Sequence, residues 1–313
     1  MQIVIVVVLY KRSPSQSQTI NSLAAVFERN PELLGFFRIF IWDNTPNVSG
    51  QPVIPFPADY RHGSRNLGTS GAYNQALEFA ESLGSSWLLL FDQDTAVSED
   101  FLPRMLDYSK SLEDVTEVGS VAGFVYSHGA LVSPRRLARF NQVRPIPRTV
   151  QGVYRRLAYA VNSATLMRVS ALREIGGYSD EFWLDLSDVY VFQAMYRRGR
   201  YIYLAGDLEV QHSIASQDFD NEMSPERYRN FLAAESAFID LYLSPLERIA
   251  QLLRLFVRTV RQYRRYENKI FSRITWDYFC RRIFQSRATR ILDWRKQLAR
   301  RDLPAIEDGR VIG

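Results

Sequence analysis

The sequence predicts an α/β protein with a mostly parallel central sheet and a helical C-terminal extension, and three observations predict it. Residues 3–10 (IVIVVVLY) form an unbroken run rich in β-branched side chains, which is typical of a strand buried on both faces of a parallel sheet. Strand-like and helix-like segments then alternate as far as residue 91. From residue 225 onward the pattern is almost only helical.

The N-terminal elements form two consecutive strand-helix-strand units. After the first strand, a helix over residues 19–29 places Ile20, Leu23 and Phe27 at helical spacing, and residues 38–42 (RIFIW) return to strand. A second helix over residues 70–82 leads into a strand at 87–91 (WLLLF). Because crossovers between parallel strands are right-handed, this order predicts a right-handed, mostly parallel sheet.

The elements after residue 100 are less regular. A strand over 118–125 is followed by a Pro- and Arg-rich stretch at 133–148, which we interpret as a long recognition loop. The remaining predicted elements are a strand over 164–168, a short helix ending at Gly176-Gly177, a helix over 188–198 with Val189, Phe192 and Tyr196 on its buried face, and a strand over 201–204.

Charge is distributed unevenly along the chain. The net charge is +5, yet residues 246–301 contain sixteen Lys or Arg and four Asp or Glu, so this segment carries +12 and the remainder −7. We therefore divide the chain into residues 1–218, an α/β domain, and residues 219–313, a basic helical region. A basic region on an acidic body predicts an anionic partner for the region.

Composition excludes several classes of protein. The chain has 313 residues, 46% of them hydrophobic, so it can bury a core. Its apolar runs are far shorter than the roughly 20 residues that span a bilayer, and it opens with no signal-peptide pattern. One cysteine, Cys280, and three histidines argue against disulfides and clustered Cys or His metal sites. These features predict a cytoplasmic protein.

The segment LLLFDQDT, residues 88–95, presents two carboxylates at the end of a buried strand. Asp92 and Asp94 would project from the carboxyl edge of the sheet, where open α/β folds bind ligands. Two such carboxylates can hold Mg²⁺ or Mn²⁺, with phosphate oxygens and water completing the coordination. The alternative interpretation is a solvated turn, since Asp is common in turns.

Two further polar groups fall on the same predicted edge. Asn66 and Gly68 lie at a loop-to-helix junction, where free backbone N–H groups would favour an anionic or polar ligand. The alternative is a glycine-rich turn with Thr69 or Ser70 as the helix cap. The third group, Asp43 with Asn44, follows the second strand and is by itself a turn.

Asp188 lies in the first turn of a predicted helix that Ser187 can cap. There it can act as a general base, or it can simply complement the helix dipole. Asp185 precedes it by three residues.

In their order along the chain, these motifs resemble one family. They are a first strand ending in Tyr, D-N, N-x-G-x-x-G-A-x-N, FDQD, G-G-Y-x-D-E-F-x-x-D-x-x-D and a later His in VQH. Over residues 1–216 the chain resembles the family-two inverting glycosyltransferases of the GT-A fold, particularly their bacterial rhamnosyltransferase branch.

The resemblance implies a role for each motif residue. Tyr10 and Asp43 would contact the nucleotide base, and Asn66 and Gly68 would border the nucleotide-sugar pocket. Asp92 would lie near the ribose and Asp185 in the acceptor pocket. Asp94 would bind the divalent metal, with His212 as a further ligand. Asp188 would deprotonate the acceptor hydroxyl.

The resemblance also implies substrates, although the chain departs from the pattern of the branch. The implied donor is dTDP-L-rhamnose, with a UDP-hexose as the alternative, and the acceptor is a saccharide or a lipid-linked sugar of a bacterial surface polysaccharide. The branch commonly has an acid and an Arg after the catalytic Asp, where this chain has Tyr190 and Gln193. In the branch the first strand usually ends in T-Y-N or a similar sequence, whereas in this chain Lys11 follows Tyr10.

Other functions fit part of the sequence. Haloacid-dehalogenase-type phosphatases also place D-x-D after an apolar strand, but on the first strand and with Thr or Val where this chain has Ala96. A nucleotide-binding or scaffold protein could keep the fold without turnover. Dehydrogenase and P-loop glycine motifs are missing.

The basic C-terminal region contains one amphipathic segment, residues 246–260. Its apolar residues recur at steps of three and four, with arginines largely elsewhere around the helix. We predict that it docks on an anionic membrane surface, so that the protein is peripheral at the inner face. The alternatives are packing on the catalytic domain or pairing of two subunits. Alternation of Arg with large apolar residues argues against nucleic acid.

Overall fold

The computed structural model describes residues 2–46, 52–138, 142–212 and 223–301. The chain divides into two compact units, residues 1–217 and 218–313. Each unit has its own hydrophobic cluster, so the two are described separately.

The first unit is a mixed α/β structure. Its helices are α1 (Gln18–Arg29), α2 (Gly68–Ser82), α3 (Phe101–Ser111), α4 (Val169–Glu174) and α5 (Ser187–Arg197). Its strands are β1 (Ile3–Leu9), β2 (Phe37–Asp43), β3 (Ala58–His62), β4 (Trp87–Asp92), β5 (Thr95–Ala96), β6 (Val118–Ser127), β7 (Ala130–Ser133), β8 (Arg135–Ala138), β9 (Gln142–Pro145), β10 (Gly152–Tyr154), β11 (Ala158–Tyr159), β12 (Thr165–Arg168) and β13 (Tyr201–His212).

The main sheet has the order β10-β13-β6-β12-β4-β1-β2-β3, with β5 and β7 paired to β13 and β6. Neighbours are parallel from β3 to β4 and between β6 and β13, while β12 runs antiparallel between β4 and β6. The register pairs Leu9 with Asp43 and Val8 with Asp92. Three parallel strands therefore end side by side, as the mostly parallel fold prediction requires.

Strand β1 lies at the centre of the first unit, and all seven of its residues are buried. Alternate side chains point to opposite faces of the sheet. Ile5 and Val7 pack in one cluster with Leu23 of α1, while Val4 and Val6 pack in another with Ala76 of α2 and its neighbours. Helices cover both faces of the strand, which confirms the sequence interpretation of residues 3–10.

Three details differ from the sequence predictions. Residues 133–148 are not one long loop, because β8 and β9 pair antiparallel and, with β11, form a second small sheet. Their many Arg and Pro residues conceal the period-two pattern. Edge strand β3 (ADYRH) is too polar to stand out in the sequence, and β13 continues well beyond residue 204.

Helix α5 turns a different face inward from the one predicted. Its buried apolar residues are Val191, Phe192 and Met195. Tyr196 is exposed and packs edge-on against the ring of Tyr201, with centroids 6.0 Å apart. The prediction is confirmed at Phe192 and wrong at Tyr196, while Val189 is partly buried, because hydrophobic spacing alone fits two overlapping faces of this helix.

The second unit is helical over its described residues, with α6 (Pro225–Tyr242), α7 (Pro245–Arg265), α8 (Ile270–Phe284) and α9 (Arg287–Arg301). Its apolar cluster is small and contains Tyr228, Leu232, Leu255, Phe271 and Ile274. Among the described residues, no helix combines the length and apolar composition that crossing a membrane requires.

A buried ionic group supplements this small cluster. The Asp240 carboxylate is fully buried and pairs with the guanidinium groups of Arg282 and Arg290 at 2.9 and 2.8 Å. Two cations on one carboxylate satisfy both of its oxygens, so this charge is paired and hydrogen-bonded as burial requires.

Candidate active site

Asp92 and Asp94 lie where β4 ends, as the sequence predicts. Asp92 is the last residue of the strand, and Gln93 and Asp94 form a two-residue turn before β5. The backbone N–H of Asp92 donates to Ser163 Oγ at 2.9 Å. The side chain of Gln93 accepts from the backbone N–H of Tyr10 at 2.9 Å, so the turn is joined to the end of β1.

The Asp92 carboxylate is oriented by Tyr73 of α2, whose hydroxyl donates to Oδ1 at 2.8 Å. Burial, followed by the nearby charge of Asp92, raises the pKa of Tyr73 well above its ordinary value. Tyr73 thus stays protonated and remains a donor. Its ring centroid lies 5.1 Å from that of Tyr178, a second buried tyrosine.

Asp188 lies in the first turn of α5 and interacts electrostatically with Asp92 and Tyr178. The helix begins at Ser187, preceded by Leu186 in a left-handed conformation with φ of 61°. Burial raises the pKa of Asp188 to about 6; repulsion from Asp185 and Asp92 adds to the rise, while the Val189 N–H, 2.8 Å from Oδ1, opposes it. A carboxylate with this pKa is ionised at neutral pH and is more basic than an ordinary aspartate.

A chain of hydrogen bonds fixes the start of α5. Tyr178 Oη donates to Asn162 Oδ1 at 3.1 Å, and Asn162 Nδ2 donates to Ser187 Oγ at 3.0 Å. Ser187 does not cap the helix as predicted, because it is the first helical residue and its hydroxyl is engaged by Asn162. The backbone of Tyr178 is held in turn by Asn74 of α2, with bonds of 2.8 and 2.9 Å.

The loop before α2 is closed by protein groups. Asn66 Oδ1 accepts from the backbone N–H of Gly68 at 2.8 Å, and the Ser70 N–H donates to the Trp183 carbonyl at 3.0 Å. Gly68 has φ of +70°, and a Cβ there would lie 2.2 Å from that carbonyl. The expectation of free N–H groups is therefore wrong at Gly68 and Ser70. Gly68 instead permits close packing of α2 on residues 182–184.

Asp43 and Tyr10 lie at the same sheet edge, at the ends of β2 and β1. Asp43 is buried, and its carboxylate accepts from Tyr60 Oη and from the Thr45 N–H, both at 2.8 Å. Burial and the bond to Asp43 raise the pKa of Tyr60 well above its usual range. Tyr10 is exposed, and the Lys11 ammonium lies 5.1 Å from its ring centroid.

His212 is the last residue of β13, where its backbone pairs with Thr95, the residue after Asp94. Its side chain lies outside the described residues, so the predicted metal role stays a prediction.

Sequence comparison identifies the family of this site. Residues 4–176 match the model for Glycosyl transferase family 2. The chain belongs to this family. The matched residues include Asp92 and Asp94 and end before Asp185 and Asp188, so the family match does not cover the last two residues. The match is to the family as a whole and does not single out its rhamnosyltransferase branch.

Solved structures of S. aureus TarS are similar to this glycosyltransferase. One is 13% identical with a TM-score of 0.48, and the match covers 96% of this chain and 55% of the TarS chain. TarS 1–349 is 14% identical, and its complex with UDP-GlcNAc 12% identical; each match covers 95% of this chain and 92% of that chain, at a TM-score of 0.48. No curated protein matches the sequence.

The donor atoms of this glycosyltransferase fit a metal ion that is bound together with phosphate. Among the described residues, no group of three His, Cys, Asp or Glu side chains is placed to hold a metal. Asp92 and Asp94, separated by one residue at the strand end, supply carboxylate oxygens, the ligands that Mg²⁺ and Mn²⁺ prefer. One or two carboxylates suffice when substrate phosphates and water complete the shell.

Sequence analysis missed three residues of the site, which are Tyr73, Asn162 and Tyr178. Tyr73 and Tyr178 lie inside the quoted motifs, but helical spacing marks Tyr73 only as a core residue. Both hydroxyls point from the core toward polar partners, which the sequence pattern does not reveal. Asn162 lies just before β12 and has no motif of its own.

Proposed function

We propose that this glycosyltransferase moves a sugar from a nucleoside diphosphate donor to an acceptor hydroxyl with inversion of the anomeric centre. The observation that carries the proposal is the contact network between Asp92 and the start of α5: Tyr73 bonds the Asp92 carboxylate, its ring lies 5.1 Å from that of Tyr178, and Tyr178 is linked through Asn162 to Ser187, the residue before Asp188. Asp188 has its pKa raised to about 6, and Asp92 stands one residue from Asp94 at the strand end. The Asp188 carboxylate suits proton transfer, and the Asp92 and Asp94 carboxylates suit the diphosphate end of the donor.

Asp188 acts as the general base. An acceptor hydroxyl is a weak nucleophile until a positioned carboxylate takes its proton. The acceptor oxygen attacks the anomeric carbon from the face opposite the diphosphate, and its proton passes to Asp188. The bond between the anomeric carbon and the phosphate oxygen breaks, and its electron pair leaves with the nucleoside diphosphate. One displacement of this kind inverts the configuration.

In this proposal Asp94 would hold the divalent cation, Mg²⁺ or Mn²⁺, with His212 as a further ligand, and Asp92 would lie near the ribose. When bound there, the cation would supply positive charge to neutralise the leaving diphosphate. Tyr73 holds one oxygen of Asp92 in place through its 2.8 Å hydrogen bond. Tyr10 and Asp43, at the ends of neighbouring strands, contact the nucleotide base, and Asp185 lines the acceptor side near Asp188.

The donor and acceptor follow from the motif resemblance. dTDP-L-rhamnose is the proposed donor, with a UDP-hexose as the alternative. A saccharide or lipid-linked sugar of a bacterial surface polysaccharide is the proposed acceptor. Tyr190 occupies a position where the branch commonly has an acid, and its ring lies 5.8 Å from that of Phe182, so an apolar pair lines this part of α5.

Thermal shift with a panel of nucleotide sugars tests the donor and the metal together. A ligand that binds only the folded state raises the melting temperature with the logarithm of its concentration. We expect stabilisation by one donor class in the presence of Mn²⁺, loss of it with chelator, and loss in Asp94→Asn. Asp59→Asn, in strand β3, is a matched control that should bind donor normally. Metal-independent stabilisation of the wild type would contradict the role of Asp94.

A further inference from the structure

Helix α7 presents a mostly polar face to its own unit. The buried residues of this helix are Gln251, Leu255 and Gln262. Gln262 Nε2 donates to Tyr228 Oη at 2.8 Å, and Arg258 makes two 2.8 Å bonds to the Glu235 carboxylate. Polar side chains therefore supply much of the contact that holds α7 in the unit. In a surface helix of a soluble protein, the inward face is usually the apolar one.

The opposite face of α7 is apolar and exposed. Its large apolar side chains recur at steps of three and four, and all of them are exposed to solvent. Their exposed fractions are Leu246 72%, Ile249 61%, Leu253 65%, Phe256 47%, Val257 62% and Val260 37%. These six residues are the exposed apolar face of α7. Contiguous exposed apolar surface of this kind marks a site of interaction with a protein or a membrane.

Aromatic side chains extend this surface onto α8. The ring of Phe256 lies 6.5 Å from Trp276 and 5.8 Å from Phe279, and the last two rings stack at 4.9 Å. Trp276 is 45% exposed. Tryptophan is enriched where proteins meet the interface between lipid and water, because its ring is apolar and its N–H is polar.

Arginines border the exposed apolar face. A shallow groove of about 460 Å³ is lined by three apolar residues of the face and by three arginines: Phe256, Val257, Val260, Arg261, Arg264 and Arg265. Helix α7 contains six arginines and one acid, Glu247, which is engaged in a capping box with Ser244. The groove therefore offers positive charge directly beside apolar surface.

We propose that the exposed apolar face of α7 docks the protein on an anionic lipid bilayer. The helix would lie in the plane of the interface, with its apolar residues among the acyl chains and Arg261, Arg264 and Arg265 at the headgroup phosphates. A second copy of the chain fits less well, because pairing two such faces brings together two strongly basic helices. The proposal does not depend on the sugar that the enzyme transfers.

Co-sedimentation of the full chain with vesicles tests this surface. The probes are vesicles of phosphatidylcholine alone and of phosphatidylcholine with phosphatidylglycerol. We expect binding only to the anionic vesicles, weakening as salt rises. Leu253→Asp with Val257→Asp should reduce vesicle affinity by about tenfold or more, and Arg261→Gln with Arg264→Gln by on the order of tenfold. The melting temperature should change little, because all four side chains are exposed.

Helix α9 supplies matched controls. Leu292→Asp replaces a 52% exposed leucine, and Lys296→Gln with Arg300→Gln removes two exposed charges; both should bind vesicles as the wild type does. Light scattering of each variant reports pairing of subunits. The proposal is overturned if the wild type ignores anionic vesicles at low salt, if the α9 controls lose as much affinity, or if a wild-type dimer without vesicle binding becomes monomeric in the Leu253 and Val257 variant.

Discussion

Asp188 combines two effects in one side chain, since the burial that makes it a better base also destabilises its charged form. Its folded pKa of about 6 lies above the ordinary value of 3.8. The folded state therefore binds the proton more tightly than the unfolded chain, and stability falls as pH rises from about 4 through 6. A shift of this size corresponds to about 2 to 3 kcal/mol at most.

Replacing Asp188 by Asn should separate the two effects. Turnover should fall on the order of a hundredfold or more, as for loss of a general base. The melting temperature at pH 8 should rise relative to the wild type, and this gain should shrink as pH falls through 6 and vanish only below the ordinary pKa of 3.8, at about pH 3, where the wild-type carboxyl is protonated in both states. Activity and melting of the same variant at both pH values are the measurements. Normal turnover would remove the catalytic assignment.

Tyr73→Phe should weaken donor binding while the fold persists. The ring is fully buried and would stay packed, but the 2.8 Å bond to Asp92 Oδ1 would be lost. Loss of one such bond to a carboxylate costs about 1.5 to 3 kcal/mol. Donor titration by calorimetry measures the effect. Tyr228→Phe, in the second unit, is the control that also loses a buried hydroxyl, and equal donor affinity in both variants would contradict the role of Tyr73.

At the scale of elements, the contact between α2 and residues 182–184 depends on Gly68. Alanine at this position must adopt φ of +70° and would place its Cβ 2.2 Å from the Trp183 carbonyl oxygen. We expect Gly68→Ala to lower the free energy of unfolding by more than about 2 kcal/mol, since left-handed strain alone costs 1 to 2. Donor binding should also weaken, because residues 182–184 lead into the helix of Asp188.

Gly84→Ala separates steric overlap from backbone strain. Gly84 has φ of +65°, and nothing lies within 4 Å of its Cβ position. The free energy of unfolding of Gly84→Ala should therefore fall only by the cost of the left-handed backbone, about 1 to 2 kcal/mol. Chemical denaturation of both variants gives the two values. If Gly68→Ala and Gly84→Ala lowered the free energy of unfolding equally, the overlap with Trp183 would add nothing to the cost at Gly68.

The sequence predicted the elements that bury apolar side chains and missed the polar strands, which are held mainly by backbone hydrogen bonds to a neighbouring strand. Strand β1 was predictable because its apolar run is unbroken, and helix α2 because its apolar residues recur at helical spacing. Strands β8 and β9 pair with each other and carry many charged side chains, so composition suggested a loop. The contacts that link Asp92 through Tyr73, Tyr178 and Asn162 to the start of α5 arise from packing of elements far apart in sequence, which no local pattern contains.

At the scale of the whole molecule, the basic and the acidic parts of the sequence belong to different compact units. The basic residues 246–301 fall in the unit of residues 218–313, and the acidic motif residues fall in the unit of residues 1–217. The N-terminal unit belongs to glycosyl transferase family 2 over residues 4–176. The exposed apolar face of α7 belongs to the other unit, so the proposed catalytic and docking roles can be tested by separate substitutions.

The anomeric configuration of the product tests the central claim most directly. Proton NMR of the glycoside formed from the donor selected in the thermal-shift panel, with a simple saccharide as acceptor, reports whether the linkage is inverted relative to the donor. The single displacement assisted by Asp188 predicts an inverted linkage, formed by Asp188→Asn at a rate lower by on the order of a hundredfold or more. A product that retains the donor configuration, or an inverted product formed at the wild-type rate by Asp188→Asn, would contradict it.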